Sequence, residues 1–168
     1  MIQIINKNII DISADAIVNA ANEQLLQGGG VCGAIFSQAG STQLQQACNC
    51  IGYCPTGKAV ITPGFNTKAK YIIHAVGPIY KANDPVIPDL LYSAYQNSLK
   101  LAQQYECQSI VFPLISAGIY GYPIQEAWNI AIQAILDFEW DDIDVIFAIL
   151  DKEIMKVGQN ILKDSLRK

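Results

Sequence analysis

The chain has 168 residues, of which 51% are hydrophobic and 15% charged, a composition that excludes a disordered or fibrous protein and fits one globular domain, residues 1–168. Its formal net charge of −4 argues against a nucleic-acid backbone as partner, because such binding needs clustered Lys and Arg. The nearest approach to a basic cluster is Lys58, Lys68 and Lys70, which is too small. The composition favours a protein that binds a small ligand.

Strand and helix patterns alternate along the chain. In order, they predict strands over 2–5 and 14–19, helices over 31–39 and 42–48, strands over 58–63 and 71–76, a helix over 88–105, a strand over 109–113, a helix beginning near Pro123, a strand over 143–150 and a helix over 155–166. Short, almost wholly apolar strands such as 14–19 are typical of sheets that helices cover on both faces. The sequence therefore predicts an α/β fold with a largely parallel central sheet.

Two glycine-bearing segments follow strands of this pattern. Residues 19–22 (NAAN) and 28–31 (GGGV) come after strand 14–19, and residues 116–121 (SAGIYG) come after strand 109–113. Ligands of such sheets bind beyond the carboxyl ends of the strands, and glycine backbone beside a helix N-terminus presents N–H groups to anions. Two loops of this kind predict a diphosphate site that is built from main-chain amides without a nearby lysine.

Neither a targeting segment nor a membrane segment is recognisable. The apolar start, 1–5, is too short for a signal peptide, and no apolar run reaches the ~18 residues of a membrane span. Five cysteines are an odd number and do not suggest a disulfide framework. We expect a cytoplasmic protein without a membrane partner.

The glycine segments, together with 32–35 (CGAI), 56–62 (TGKAVIT), 73–78 (IHAVGP) and 122–123 (YP), resemble the macrodomain family in order and spacing over nearly the whole chain. The resemblance implies a three-layer α/β/α sandwich around a mixed, largely parallel sheet, with a cleft for ADP-ribose. Within the family, the chain is most similar to O-acetyl-ADP-ribose deacetylases and mono-ADP-ribosyl hydrolases. The implied partners are ADP-ribose, its esters and ADP-ribosylated proteins, with no cofactor.

The resemblance also implies site residues. The glycine triplet would lie against the diphosphate and distal ribose, and the amides of the second loop would hold the other phosphate side, with the Tyr120 ring flanking the distal ribose. Asn22 would bind the distal ribose hydroxyls, and Asn19 would brace the loop. The implied ligand-binding residues are Asn8, Ile9, Asn19, Asn22, Gly29, Gly30, Val31, Ser116, Ala117, Gly118, Ile119, Tyr120 and Leu150, and the implied catalytic residues are Asn22, Cys32 and Tyr120.

Three positions depart from the family pattern. Cys32 stands where the hydrolase branch usually has the aspartate that positions the attacking water. Asn8 replaces the usual aspartate that accepts from the adenine amino group, which predicts a weaker contact because the charge is lost. Leu150 stands where many relatives have an aromatic residue that stacks on adenine. The diphosphate half of the site is therefore expected to be intact and the adenine half weakened.

These departures leave several alternatives open. A neutral thiol is a poor general base. A viral branch of the family that has cysteine at this place is nevertheless regarded as hydrolytic. Cys32 is therefore either a catalytic participant or a small packing residue of the cleft wall. The protein is then an ADP-ribosyl ester hydrolase, a non-catalytic ADP-ribose reader, or a binder of another nucleotide diphosphate. His74, in the middle of an apolar strand, is expected to be a hydrogen-bonded core residue. Cys48, Cys50 and Cys54 lack a clear fourth ligand, so no metal site is expected.

Overall fold

The computed structural model describes residues 1–168, which form six strands and five helices. The strands are β1 (Ile2–Ile5), β2 (Ala14–Ala20), β3 (Ala59–Pro63), β4 (Ala69–Ala75), β5 (Ser109–Phe112) and β6 (Asp144–Ala148). The helices are α1 (Gly30–Ala39), α2 (Ser41–Ile51), α3 (Val86–Gln104), α4 (Ile124–Asp137) and α5 (Lys152–Leu166). None of the helices combines the length and the apolar character that a membrane span requires.

The strands form one sheet in the order β1-β6-β5-β2-β4-β3. Every neighbouring pair is parallel except β3 and β4, which are antiparallel. The predicted mixed, largely parallel sheet is confirmed.

Helices cover both faces of this sheet, because the side chains of each central strand alternate between two apolar clusters. In β2, Ala16 and Val18 pack into the cluster that includes residues of α3, α4 and α5. The residue between them, Ile17, packs into the opposite cluster with residues of α1 and α2. Both faces of the strand are thus buried, which explains why its sequence is apolar without alternation. The three-layer sandwich is confirmed.

Most element boundaries differ by one to three residues from the sequence prediction, and three of the differences have a visible cause or consequence near the ends of α3, β6 and α5. Helix α3 begins at Val86 rather than at 88, and the Asp84 carboxylate accepts from the Val86 N–H at 3.1 Å just before it. Strand β6 ends at Ala148, and helix α5 begins at Lys152 rather than at 155. Asp151 is the reason for the early start, since its carboxylate caps the N–H groups of Glu153 and Ile154 at 2.9 and 3.1 Å. The 3₁₀ turn Ile9–Asp11 was not predicted.

The sheet order places the carboxyl ends of β2 and β5 side by side. These two strands pair in parallel, with Ile17 opposite Val111. From β2 the chain goes on to β3 and β4 at one side of the sheet, whereas from β5 it goes on to β6 at the other side. The chain direction therefore switches between β2 and β5, and open α/β sheets bind ligands at such a switch point.

Candidate functional site

A cavity of about 450 Å³ lies beyond the carboxyl ends of β2 and β5, and we call it the cleft. Its walls come from the two predicted glycine segments, which the fold brings to opposite sides of one space. The lining residues are Ala20, Ala21, Asn22, Gly28, Gly29, Gly30, Val31, Cys32, Pro113, Leu114, Ser116, Gly118, Ile119 and Tyr120. The lining contains no Asp, Glu, Lys, Arg or His.

The first loop, residues 21–29, is held in place by its own amide side chain. Asn22 donates from Nδ2 to the Leu26 carbonyl at 2.9 Å and accepts at Oδ1 from the Leu26 N–H, also at 2.9 Å. Leu25, between them, is buried and has a φ of 57°. Since both ends of the Asn22 amide are engaged with the main chain, this side chain fixes the shape of the loop.

The rest of the protein holds the same loop from two sides. Gln45 of α2 donates to the Leu25 carbonyl and accepts from the Gln27 N–H, both at 3.0 Å. Glu23 accepts from the Thr56 N–H and hydroxyl and from the Tyr53 hydroxyl, each at 3.1 Å, and these hydrogen bonds lower the pKa of its carboxyl group. The loop is thus braced by hydrogen bonds to side chains outside it.

Helix α1 begins at the cleft with unpaired donors. Its N-cap residue is Gly29, which has no side chain to cap the first turn, and that turn contains no acidic residue. The N–H groups of Gly30, Val31 and Cys32 donate no hydrogen bond within the chain. Gly30 has a φ of +56°, a conformation that residues with a Cβ rarely adopt. This backbone aims a helix N-terminus, with its positive partial charge, into the cleft.

The second loop, residues 113–122, presents a matching row of donors. The N–H groups of Gly118, Ile119 and Tyr120 have no acceptor within the chain. In contrast, the Ala117 N–H is already bonded to the Leu114 carbonyl at 3.4 Å. Gly118 is exposed and Ile119 fully so, so this part of the loop forms an open rim.

Buried contacts with Tyr95 and with segment 77–78 fix the conformation of the second loop. Ser116 has a φ of 67°, and its hydroxyl donates to the Pro78 carbonyl at 2.7 Å. The Ile115 N–H donates to the buried Tyr95 hydroxyl at 2.9 Å. Gly77 must be glycine at this contact, because a Cβ there would lie 2.3 Å from Ser116 Oγ and 2.4 Å from Ile115 Cγ2. The loop conformation therefore depends on close approach between segments 77–78 and 115–116.

Cys32 lies on the cleft wall in the first turn of α1. It is buried, and its thiol is 3.9 Å from the Leu26 carbonyl, a weak contact. Burial, and to a smaller extent the nearby Cys32, raise the pKa of the Cys48 thiol to about 11. Cys32 is thus the one cysteine that faces the cleft.

The chemistry of the cleft is that of an anion site without a cation. Two rows of free N–H groups converge on one space that contains neither a carboxylate to repel an anion nor a lysine to attract one. Such amides and a helix N-terminus bind phosphate oxygens in proteins. Aliphatic and aromatic side chains from Val31, Leu114 and Tyr120 complete walls suited to a sugar or a similar group.

Five of the predicted site residues lie outside the cleft. Ala117 lies in the second loop, with its N–H bonded to the Leu114 carbonyl. Asn8 caps the 3₁₀ turn, and its Oδ1 accepts from the Ile10 N–H at 3.3 Å. Ile9 is buried in the core, whereas Leu150 is exposed. These last three lie near one another at the ends of β1 and β6, where the Asn6 amide donates to the Leu150 carbonyl at 2.8 Å.

Asn19, the fifth, is buried in β2 and contacts His74 rather than the cleft. Its Nδ2 is 3.0 Å from His74 Nδ1, and the other ring nitrogen is 3.0 Å from the Thr62 hydroxyl. Burial lowers the pKa of His74 to about 4, so the ring is neutral near pH 7. The expectation of a hydrogen-bonded core histidine is confirmed.

Some cleft residues were not predicted from the sequence. Ala20, Ala21 and Gly28 lie within the predicted segments 19–22 and 28–31 but were not named as site residues, and Pro113 and Leu114 precede segment 116–121 by three and two residues. The sequence does not indicate that Glu23 and Gln45 hold the first loop in place, because the residues they contact lie far away in the sequence. The structure contains no group of three or more His, Cys, Asp or Glu side chains placed to hold a metal ion.

Comparisons with known proteins agree with this geometry. Residues 18–131 match the sequence model of the Macro domain. The chain is 50% identical over 141 residues to a macro domain-containing protein of Caldanaerobacter subterraneus, covering 82% of this chain and 80% of that protein. It is 47% identical over 141 residues to the O-acetyl-ADP-ribose deacetylase of Salmonella newport, covering 82% and 78%.

A solved structure shows the same fold. The Oceanobacillus iheyensis macrodomain with ADP superposes with a TM-score of 0.93 at 39% identity, covering 98% of this chain and 90% of that one. A mutant of that macrodomain has also been solved with ADPR. The matched segment includes both glycine loops and most of the sheet, so the chain belongs to the macrodomain family.

Proposed function

We propose that the cleft binds ADP-ribose and that the protein hydrolyses ADP-ribose esters, by deacetylating O-acetyl-ADP-ribose, by removing mono-ADP-ribose from acidic side chains, or both. The observation that carries the proposal is the pair of facing rows of free N–H groups, which suits the two phosphates of one diphosphate. The deacetylase name of a 47% identical relative supports the choice of reaction.

In the proposed complex, Gly29, Gly30 and Val31 lie against the diphosphate and the distal ribose. The amides of Gly118, Ile119 and Tyr120 face the other phosphate side, and the Tyr120 ring flanks the distal ribose. These groups are fixed before the ligand arrives, because several side-chain hydrogen bonds hold the first loop and buried hydrogen bonds hold the second. Little reorganisation on binding is therefore expected.

The proposed reaction uses a positioned water. For the acetyl ester, the water oxygen attacks the acetyl carbonyl carbon, and the ester C–O bond breaks to give acetate and the ribose hydroxyl. Because an ester is already activated, holding the water and the carbonyl in line supplies much of the acceleration. Cys32 lies beside this space, and Asn22 shapes the loop around it.

Adenine is assigned to the far end of the site, at Asn8, Ile9 and Leu150. Asn8 already uses Oδ1 to cap the 3₁₀ turn, which leaves its Nδ2 group unengaged. Leu150 offers an exposed aliphatic surface rather than a ring. We infer that adenine is held less firmly here than the diphosphate.

A second candidate function is that of a non-catalytic reader of free or protein-linked ADP-ribose. The lining of the cleft favours it, because neither a carboxylate nor an imidazole is present as a general base. A third candidate, preference for another nucleotide diphosphate, follows from the positions of Asn8 and Leu150 outside the cleft.

Two measurements test these candidates. Isothermal titration with ADP-ribose, ADP, UDP-sugars and NAD should rank ADP-ribose first, and another leading ligand would eliminate both ADP-ribose proposals. Purified protein should then release acetate from O-acetyl-ADP-ribose, or ADP-ribose from a modified acidic peptide, faster than buffer does. Binding without any turnover would leave the reader as the function.

A further inference from the structure

A second cavity, of about 690 Å³, adjoins the cleft, and we call it the side cavity. It lies between segment 80–88 and the first two turns of α4. The two cavities share a wall where the Tyr80 N–H donates to the Tyr120 carbonyl at 2.9 Å. One residue of this bonded pair, Tyr120, lines the cleft and the other, Tyr80, lines the side cavity, so the two cavities meet at this hydrogen bond.

The side cavity differs from the cleft because its walls are charged and aromatic. Two carboxylates, Asp84 and Glu126, and one ammonium group, Lys81, line it and leave it with a net charge of −1. Glu126 makes no ion pair and no side-chain hydrogen bond, so its carboxylate is available to a ligand. The rings of Tyr80 and Tyr122 stand edge to face with centroids 5.0 Å apart.

Tyr122 gives an independent indication of a ligand. The residue is only 3% exposed, yet its hydroxyl has no hydrogen-bond partner in the chain. The Tyr122 hydroxyl is not a fully enclosed atom, so it is open to a further partner, and Tyr122 is one of the residues that line the side cavity. Burial, then Glu126 and Tyr80, raise the pKa of this hydroxyl.

We propose that the side cavity binds a guanidinium group, that of an arginine side chain on the polypeptide whose ADP-ribose occupies the cleft. A planar guanidinium can stack on a tyrosine ring while it donates to a carboxylate, which a compact ammonium group does less well. The free carboxylate of Glu126 and the unpaired hydroxyl of Tyr122 supply two acceptors, and the ring of Tyr80 supplies a face.

The shared wall also favours a polypeptide over a small ligand. Ile79 is 67% exposed and Ile119 is 100% exposed, and each is next in sequence to one residue of the bonded pair at the wall. Exposed aliphatic side chains at the junction of two cavities suit a chain that crosses from one to the other. The polypeptide part of this inference rests on the proposed function, whereas the guanidinium part does not.

The first test uses the guanidinium group alone. N-acetyl-arginine amide is titrated into isotopically labelled protein, with N-acetyl-citrulline amide as the uncharged control of equal shape. We expect saturable shifts in residues 80–88 and 122–130 and binding about tenfold tighter for the arginine compound. Equal binding of the two compounds, or an absence of shifts at these residues, would overturn the proposal even if ADP-ribose binds normally.

Matched variants locate the effect. Glu126→Gln should reduce the preference for arginine over citrulline to less than twofold, whereas Glu139→Gln, which removes another exposed carboxylate, should preserve it. Tyr122→Phe should weaken arginine binding while leaving ADP-ribose affinity within twofold. If Glu126→Gln kept the full preference, the guanidinium would not be bound in this cavity.

The second test adds ADP-ribose. Two mono-ADP-ribosylated peptides that differ by Arg or Gln next to the modified residue are compared by calorimetry, with free ADP-ribose as reference. The Arg peptide should bind about tenfold more tightly than the Gln peptide, and Glu126→Gln should remove the difference. Equal affinities would overturn the polypeptide proposal, whereas failure of free ADP-ribose to bind would instead overturn the proposed function of the cleft.

Discussion

Gly29 offers a direct test of the anion site, because a side chain can be added there without disturbing the backbone. Its φ of −92° and ψ of −170° are open to any residue, and a Cβ would meet no atom within 4 Å. We propose two substitutions of nearly equal size, Gly29→Gln and Gly29→Glu. Both lengthen the same position at the start of α1, and only the second introduces a negative charge.

The expected difference follows from the repulsion between that charge and the diphosphate. Two unit charges about 4 Å apart repel by about 1 kcal/mol in water and by about 4 kcal/mol at an effective dielectric constant of about 20. An intermediate value of about 2 kcal/mol for this partly open cleft corresponds to a dissociation constant about 30-fold weaker for Glu than for Gln. Loss of the N-cap glycine should cost either variant less than about 1 kcal/mol in folding free energy.

Isothermal titration with ADP-ribose at low salt measures this ratio, and urea unfolding verifies that both variants fold. In 1 M salt, where screening is effective beyond about 3 Å, the ratio should shrink. Equal affinities of the Gln and Glu variants, with both folded, would refute the assignment of phosphate to the start of α1. A large loss of ADP-ribose affinity in both variants would show only that the longer side chain obstructs the ligand.

Three further predictions concern the cleft and its supports. Gly77→Ala should lower the free energy of unfolding by about 1–3 kcal/mol and weaken ADP-ribose binding, because its Cβ would collide with Ser116. Gly118→Ala, which has open space around its Cβ, should keep the stability of the unsubstituted protein. Equal urea-unfolding midpoints for the two variants would contradict this expectation. Since burial lowers the pKa of His74 to about 4, the folded state binds fewer protons than the unfolded state between pH 6.5 and 4. The contribution of His74 to the free energy of unfolding should thus be fully present above pH 6.5, and the free energy of unfolding should fall by up to about 3 kcal/mol toward pH 4. The free energy of unfolding, measured with urea from pH 7 to 5, should depend less steeply on pH for His74→Gln than for the unsubstituted protein. Identical pH dependences would exclude this contribution of His74. Cys32→Asp should raise ester hydrolysis in a turnover assay, and a rate no higher than that of Cys32→Ala would contradict it.

Most of the fold could be predicted from the sequence because apolar strands and glycine breaks mark it locally. The all-apolar β2 indicated a sheet covered on both faces, and the two glycine loops indicated where two strands end. The start of α5 was placed three residues too late because the pattern of apolar residues begins at Ile154 and Met155. The Asp151 cap precedes that pattern and acts through two main-chain hydrogen bonds.

The site was harder to predict in its details than in its position. The glycine loops identify the cleft, but local sequence does not reveal that Gln45 and Glu23 hold the first loop, because these contacts join residues 18 to 33 positions apart. Asn22 was expected to bind ribose, and its amide is engaged with Leu26 on both sides. Local sequence does not reveal this second role of the side chain, and its contact with ribose stays a prediction.

Binding and catalysis are separable in this cleft because they use different parts of the same residue. The main-chain N–H of Cys32 belongs to the row of donors at the start of α1, whereas its thiol lies on the wall. A substitution at Cys32 changes the thiol and leaves the N–H in place. An aspartate there is also compatible with the helix, since a negative charge is favourable in the first turn. A series of Ala, Ser and Asp at this one position therefore separates binding from catalysis: the affinity for ADP-ribose should be nearly the same for Ala and Ser, whereas the rate of ester cleavage should follow the side chain and be highest for Asp.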